Sequence, residues 1–367
     1  MFRKRAFLSP SVFVLVWVFA ASVSYAQTVD MGRHSRARIT QNIDEGKPFR
    51  LAGNTRREAN AENDRGAVAD DFRVEHMQLQ LHRSSDQEQA LQQFIEELQS
   101  PNFPNFHKWL TAQEFGDRYG VAQQDLDTLT RWLESHGFHV DVVYPSGMVI
   151  DFSGNAGQVR EAFRTEIHHL DVKGEKHTAN MSDPRIPVAL ASVVTGIVSL
   201  HDFRPQTKHK MRKPPPNFTI SSLFGDSFAM APADLATIYN LNPLFSAGYS
   251  GQGQTIVVIG NSDVFSTADW STFRSTFGLS SYTSGSFTQV HPAPPSGPNN
   301  CTSPGAFAPN SAEAIVDAEW ASAAAPNAAI QLAACADTST TFGGLIAMQN
   351  LINASSEPPA IMSISYG

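Results

Sequence analysis

The chain has 367 residues, of which 41% are hydrophobic and 17% charged, which is an ordinary globular composition with room for two domains. Its 27 basic and 35 acidic residues give a formal net charge of −8. This balance supplies no overall attraction to nucleic acid or to an anionic membrane, so neither is expected as a partner.

The first 26 residues have the pattern of a signal peptide. Basic residues at positions 3–5 precede an apolar run over residues 12–21, and Ser24 and Ala26 place small side chains at the cleavage positions. A membrane anchor is the alternative, but the run is well short of the roughly 20 residues that span a bilayer. The sequence therefore predicts a secreted protein, extracellular or periplasmic, without an anchor.

Residues 27–70 are polar and lack sustained periodicity, which predicts a poorly ordered lead-in. Residues 71–202 combine strand and helix patterns: VEHMQLQLHR alternates, the next stretch has helical spacing, and Thr111 with Glu114 forms a capping-box signature. Asn155 opens a further helix. These patterns predict an α+β domain in which helices accompany an antiparallel sheet.

Residues 203–227 are basic and rich in proline, and they have no apolar period. A nucleic-acid patch is one interpretation, but behind a signal peptide we favour an exposed linker that proteases can cut. In residues 228–367, apolar runs such as TIVVIG alternate with helical patterns. Strands that are apolar on both faces predict a parallel α/β sheet.

Cys301 and Cys335 are the two cysteines of the chain. In an exported protein we expect them to form a disulfide, and two free buried thiols are the alternative. Zinc is disfavoured because no other ligand stands at suitable spacing beside either cysteine. The adjacent His168 and His169 would point to opposite faces of a strand, so no metal site is predicted.

Two acidic residues mark the most informative stretch, SAEAIVDAEWASAAAP. Glu313 and Asp317 lie one helical turn apart, so they share a face of a helix whose other residues are mostly apolar. Glu319 falls about 240° round from Glu313 and is the better candidate for a surface carboxylate. The alternative without a catalytic role is a pair of solvated surface acids. The apolar neighbours favour an inward-facing pair that shares a proton.

Several other catalytic classes lack support. Gly248, Gly251 and Gly253 precede a strand rather than follow it, which argues against a dinucleotide fingerprint. A Ser-His-Asp hydrolase is hard to support, because His291 is the only histidine after the linker and no G-x-S-x-G motif occurs. The HExxH signature of zinc peptidases is also missing from the sequence. Of the catalytic classes considered, catalysis by carboxylates is the one that remains.

Separated segments then match one family in order. SPNFPNFHKWLTAQEFGDRYGV, VIDFSG, VREAFRTEIHHL and IPVAL resemble the activation propeptide of the sedolisins, which are serine-carboxyl peptidases, in precursors of the kumamolisin type. MAPADLATIYNL, GYSGQGQTIVVIG, EAIVDAEWASAAAPNAAI and IMSISYG resemble the first part of their catalytic domain. The resemblance runs from about residue 74 to residue 367.

This resemblance implies a ferredoxin-like propeptide domain over residues 71–202 that packs on the N-terminal part of a subtilisin-like catalytic domain over residues 228–367. It implies that Glu313 is the general base and that Asp317 orients it, with proteins or peptides as substrates. A carboxylate still accepts a proton in acid, where histidine, with a pKa near 6.5, is already protonated. An acid-active endopeptidase precursor is therefore expected.

The chain departs from the family pattern in specific places. The nucleophilic serine of a GTS motif and the oxyanion aspartate of a GDSG-like motif do not occur in residues 1–367, so this chain alone is expected to be inactive. The family's calcium site would lie beyond these residues, and no cofactor is expected within them. Gly260 and Asn261 stand where some relatives carry another Glu that supports the acid network, and Tyr366 stands where Trp is common.

One alternative function stays open. The chain can be a propeptide-bearing protein that binds or inhibits intact sedolisins without catalysis. A conventional subtilisin relative is disfavoured, because Gly260 and Asn261 follow the first catalytic-domain strand where Asp is required, and no His-Gly-Thr segment occurs.

Overall fold

The computed structural model describes residues 35–207, 218–222, 225–355 and 358–367. Up to Thr207 its strands are β1 (Pro48–Arg50), β2 (Asp64–Ala67), β3 (Arg73–Leu81), β4 (His139–Val143), β5 (Val149–Asn155), β6 (Ile167–Val172), β7 (Glu175–Asn180), β8 (Arg185–Pro187) and β9 (Val194–Val198). The predicted signal peptide lies outside the described residues.

The helices of this first part are α1 (Ser85–Gln99), α2 (Ala112–Tyr119), α3 (Gln123–Ser135) and α4 (Ala156–Phe163). Side-chain caps fix where three of them begin. Ser84, Thr111 and Asn155 each accept a hydrogen bond from the backbone N–H three residues later, and the side chain of that later residue binds back to the cap. The capping signatures at Thr111 and Asn155 are thus found where the sequence predicts them.

An antiparallel sheet with strand order β4-β5-β3-β9 forms the centre of the first part. Its strands and covering helices follow the succession β-α-β-β-α-β of a ferredoxin-like arrangement. Alternation along β3 turns Met77 and Leu79 toward a core that also contains Leu129, Phe152 and Phe163. The intervening polar positions of β3 and β5 are left on the opposite face.

Residues 35–70 differ from the expected poorly ordered lead-in. β1 pairs with β8, and β2 pairs with β6 in the sheet β2-β6-β7. Ile39, Leu51 and Val68 are buried in the same core as β3. The segment is polar because these few apolar side chains are widely spaced, and its order comes from strand pairing with distant partners.

The second part begins with a hairpin, β10 (Phe218–Ser222) and β11 (Gly225–Ala229), inside the region predicted as a linker. Residues 208–217 of that linker lie outside the described residues. The remaining elements are α5 (Pro232–Ile238), α6 (Asn242–Ser246), β12 (Thr255–Gly260), α7 (Ala268–Thr276), β13 (Ser286–Val290), α8 (Asn310–Ala324), β14 (Ala329–Ala334), α9 (Gly343–Ile352) and β15 (Ile361–Ile364).

A parallel sheet with strand order β13-β14-β12-β15 organises the second part. Val258 of β12 packs with Ala314 and Ala318 of α8 on one face of the sheet. Val257 and Ile259 pack with α9 on the other face. Because both faces are covered, the strand is apolar throughout, as the sequence predicts.

The two parts meet through a buried polar network rather than an apolar seam. Asn300 Nδ2 donates to Asp151 Oδ2 at 2.9 Å, and the Tyr144 hydroxyl donates to Asn350 Oδ1 at 2.8 Å. Asn350 Nδ2 in turn donates to Asn300 Oδ1 at 2.7 Å. Asp151, on the polar face of β5, is fully buried by this contact.

Cys301 and Cys335 are joined in a disulfide, with their Cα atoms 5.0 Å apart. Both residues are buried on the α9 face of the parallel sheet. The covalent loop contains α8 and β14, so the bond ties the segment that precedes α8 to the end of β14. In the part of the chain that is described, no helix is long and apolar enough to cross a membrane.

Replacing both cysteines by alanine should lower the free energy of unfolding by about 3–4 kcal/mol, because the unfolded chain regains the entropy of an open loop of this length. Urea unfolding measures the loss. Reducing agent should destabilise the parent protein by a similar amount and leave the double variant unchanged. Equal stability of parent and variant under oxidising conditions would show that the bond does not stabilise this fold.

Candidate active site

Three neighbouring strands of the parallel sheet end at the same edge. β12 leads into Asn261, β14 leads toward Asp337, and β15 leads into Ser365 and Tyr366. Since parallel strands present their carboxyl ends together, polar side chains far apart in the sequence gather there. We refer to this place as the carboxyl edge.

Helix α8 brings the acid pair to the carboxyl edge. Glu313 is 1% exposed, and Asp317, one turn later, is partly buried and accepts a hydrogen bond from Ser365 Oγ at 2.8 Å. The small side chains of Ala314 and Ala318 let the helix approach the sheet closely. Glu313 is thus buried and Asp317 partly buried on α8, beside the end of β15.

Tyr366 lies among the carboxyl groups of this edge. Burial raises the pKa of its phenol, and the negative charges of Glu313, Asp317 and Asp337 raise it further. The ring packs against Phe342, with the centroids 5.0 Å apart. The phenol therefore stays protonated and is a hydrogen-bond donor throughout the acid and neutral range.

Asn261 links the elements around the acid pair through its buried side-chain amide. Its Nδ2 donates to Asp337 Oδ2 at 3.0 Å, and its Oδ1 accepts from Asn310 Nδ2 at 2.7 Å. The Tyr366 hydroxyl is 3.4 Å from the same Oδ1. A neutral amide thus connects the first turn of α8 to the carboxylate that follows β14.

The end of the first part also reaches the carboxyl edge. Gly367 N–H donates to the Gln206 carbonyl at 3.0 Å, and Thr207 forms an antiparallel bridge with Tyr366. Arg204 lies against Asp337, with Nε 3.5 Å from Oδ2. Sequence analysis did not find this contact, because nothing in the local pattern around residue 204 identifies a distant partner.

Glu319 does not have the predicted position on the solvent surface. The side chain is partly buried, because α7 packs against α8 on that side. Loss of hydration raises the pKa of Glu319 to about 7, and the charge of Asp269 on α7 contributes. The position of Glu319 depends on α7, which the sequence pattern of α8 alone does not reveal.

A further group of titratable residues lies on the polar face of the N-terminal sheet. His76, Asp141 and Asp151 bring their possible ligand atoms within 4.8 Å of one another. His76 Nδ1 is 3.1 Å from Asp151 Oδ1. Burial lowers the pKa of His76, but its bond to Asp151 and the charges of nearby carboxylates outweigh this and raise it overall. The group was not predicted, because its members come from three separate strands.

The sequence comparisons bear on both parts of the chain. Residues 61–203 match the family described as Pro-kumamolisin, activation domain. Kumamolisin from Bacillus sp. (strain MN-32) is 26% identical over 325 residues, which cover 86% of this chain and 55% of kumamolisin. Xanthomonalisin from Xanthomonas sp. (strain T-22) is 27% identical over 201 residues, which cover 53% of this chain and 24% of that protein.

Sedolisin from Pseudomonas sp. (strain 101) is 25% identical over 195 residues, which cover 53% of this chain and 32% of sedolisin. The chain spans about half the length of kumamolisin and a quarter to a third of the other two relatives. The fold and these matches define a precursor that carries an activation domain. These matches support a precursor of the sedolisin type with its propeptide, in agreement with the resemblance found in the sequence.

Glu319→Gln should stabilise the protein above neutral pH. Because the pKa is raised from 4.5 to about 7 in the folded state, the folded protein holds the extra proton and the free energy of unfolding falls as pH rises through that window. Glutamine removes this dependence on pH. After solvent screening is allowed for, the free energy of unfolding at pH 8 should be about 1 kcal/mol higher in the variant than in the parent.

Urea unfolding of the Glu319→Gln variant and the parent at several pH values measures this difference. Glu96→Gln, at an exposed position of α1, is the matched control and should leave the pH dependence unchanged. An unaltered pH slope in the Glu319 variant would contradict the assignment of a raised pKa to this carboxyl group.

Proposed function

We propose that residues 1–367 form the N-terminal part of a secreted, acid-active serine peptidase precursor. Glu313 would be the general base and Asp317 the residue that orients it. The observation that supports this most directly is a buried Glu313 one turn before Asp317, at the carboxyl edge along which residues 204–207 of the linker lie. Similarity to kumamolisin, xanthomonalisin and sedolisin supports the same roles.

The chemistry follows from what carboxylates do in acid. In the complete peptidase, a serine hydroxyl attacks the peptide carbonyl while Glu313 takes its proton. Glu313 and Asp317 lie one helical turn apart on α8, so the second carboxylate is placed to orient the first. Ser365, which donates to Asp317, helps to hold the second carboxylate in place.

The nucleophile and the oxyanion aspartate would come from sequence that residues 1–367 do not contain, since neither a GTS nor a GDSG motif occurs in them. A chain limited to these residues is therefore proposed to be inactive toward peptides. The calcium site implied by the family would likewise belong to the rest of the catalytic domain.

The organisation of the precursor completes the proposal. Residues 1–26 would direct export, residues 71–202 would be the activation domain, and residues 203–227 would contain the maturation site. Residues 228–367 would begin a subtilisin-like catalytic domain. The match of residues 61–203 to an activation domain, and the polar docking of that part on the second, support this division.

Glu313→Gln, made in a version that supplies the serine, should lower kcat by about 10²- to 10⁴-fold and change KM much less, because it removes the base but keeps the shape of the side chain. Asp317→Asn should be similarly damaging through misorientation of the base. Hydrolysis of a fluorogenic peptide between about pH 3 and 7 measures both, with maximal activity expected in acid.

Glu319→Gln is the matched control, since it removes an acid from the same helix without touching the pair, and its turnover should stay close to that of the parent. Loss of turnover in this control, with full activity in Glu313→Gln, would assign the base to the wrong residue. Full activity in all three variants would reject carboxylate base catalysis.

A further inference from the structure

Residues 204–207, which follow the activation domain, lie on the carboxyl edge in an antiparallel main-chain contact. Gly367 N–H donates to the Gln206 carbonyl at 3.0 Å, Gln206 N–H donates to the Gly367 carbonyl at 3.4 Å, and Thr207 pairs with Tyr366. These contacts use only the main chain, so another extended peptide can make them as well. Side-chain contacts then decide which peptide is preferred.

Arg204 makes a side-chain contact that can decide which peptide is preferred at this edge. Its Nε is 3.5 Å from Asp337 Oδ2, and its Nη2 donates to the carbonyls of Thr338, and of Ser339 at 3.1 Å. A carboxylate and two carbonyl oxygens from consecutive residues thus surround one guanidinium group. The three groups are all acceptors, which suits a planar cation with several N–H donors.

Asp337 is held in place independently of Arg204. Its Oδ1 accepts from Gly343 N–H at 2.7 Å, at the start of α9, and its Oδ2 accepts from Asn261 Nδ2 at 3.0 Å. The carboxylate is therefore oriented before any cation arrives, which lowers the entropy lost when a guanidinium binds. The Asp337 and Arg204 side chains are 23% and 29% exposed, so solvent screens the pair only in part.

We propose that Asp337, with the carbonyls of Thr338 and Ser339, forms a subsite for a basic side chain of bound peptides, with arginine preferred over lysine. The basic residue lies two positions before the residue that pairs with Gly367, as Arg204 does relative to Gln206. The inference rests on the proposed function in one respect, because it takes the peptides that bind along this edge to be substrates.

Peptide binding tests the subsite without requiring hydrolysis. The chain of residues 1–367 carries Arg204→Gln, which weakens the hold of its own segment on the edge. The probes are three fluorescently labelled peptides: Phe-Arg-Pro-Gln-Thr, which copies residues 203–207, and the same peptide with lysine or with neutral citrulline in place of arginine. Fluorescence anisotropy at about pH 6, where an ordinary aspartate is ionised, gives the three dissociation constants.

The arginine peptide should bind about fivefold to tenfold more tightly than the citrulline peptide, as expected for a partly screened, hydrogen-bonded ion pair, with the lysine peptide between them. The preference should shrink in about 1 M salt. In the double variant Arg204→Gln, Asp337→Asn the ratio should approach one. The citrulline peptide serves as an internal reference for any general effect of Asp337→Asn on the fold.

Equal affinity for the three peptides, a ratio that survives Asp337→Asn, or no binding of any peptide would each overturn the subsite. In those cases Asp337 serves only to cap the start of α9 and to hold Arg204 in place. Because the assay needs no nucleophile, failure of the proposed peptidase activity and failure of the subsite give separate results.

Discussion

Parallel pairing of β12, β14 and β15 is the constraint on which the candidate site depends. Because the three strands run in one direction, the residues that follow them meet at one edge, and side chains as distant in sequence as Asn261 and Tyr366 become neighbours. Helix α8 adds the acid pair to this edge through two alanines that pack directly on the sheet. The acid pair comes from one helix, and the residues around it come from three separate strand ends.

Docking of the first part on the second places the residues that follow the activation domain on this edge. The domain presents the polar face of its central sheet to the second part, and Asp151 is buried there against Asn300 and His76. A buried carboxylate is tolerated only when its oxygens are paired, so the contact allows few alternative orientations. That fixed orientation determines where Arg204 and Gln206 lie relative to the acid pair.

Features that depend on local sequence could be predicted. Capping residues, the apolar run of β12 and the inward-facing acid pair follow from periodicity and side-chain chemistry alone. Features that depend on distant packing could not: β13 is short and has no strong alternation, and the half-buried position of Glu319 requires α7. The contact of Arg204 with Asp337 likewise exists only once two separate parts have docked.

The network of Asn300, Asn350 and Tyr144 between the two parts is made mostly of amides and a hydroxyl. Such groups regain hydrogen bonds from water as soon as the surfaces separate. An apolar interface would instead leave an exposed hydrophobic patch on each surface. Under the proposed maturation, both surfaces would therefore expose groups that water can hydrogen-bond, which disfavours aggregation once the activation domain has left. A polar contact of this kind suits a domain that is proposed to dissociate after cleavage.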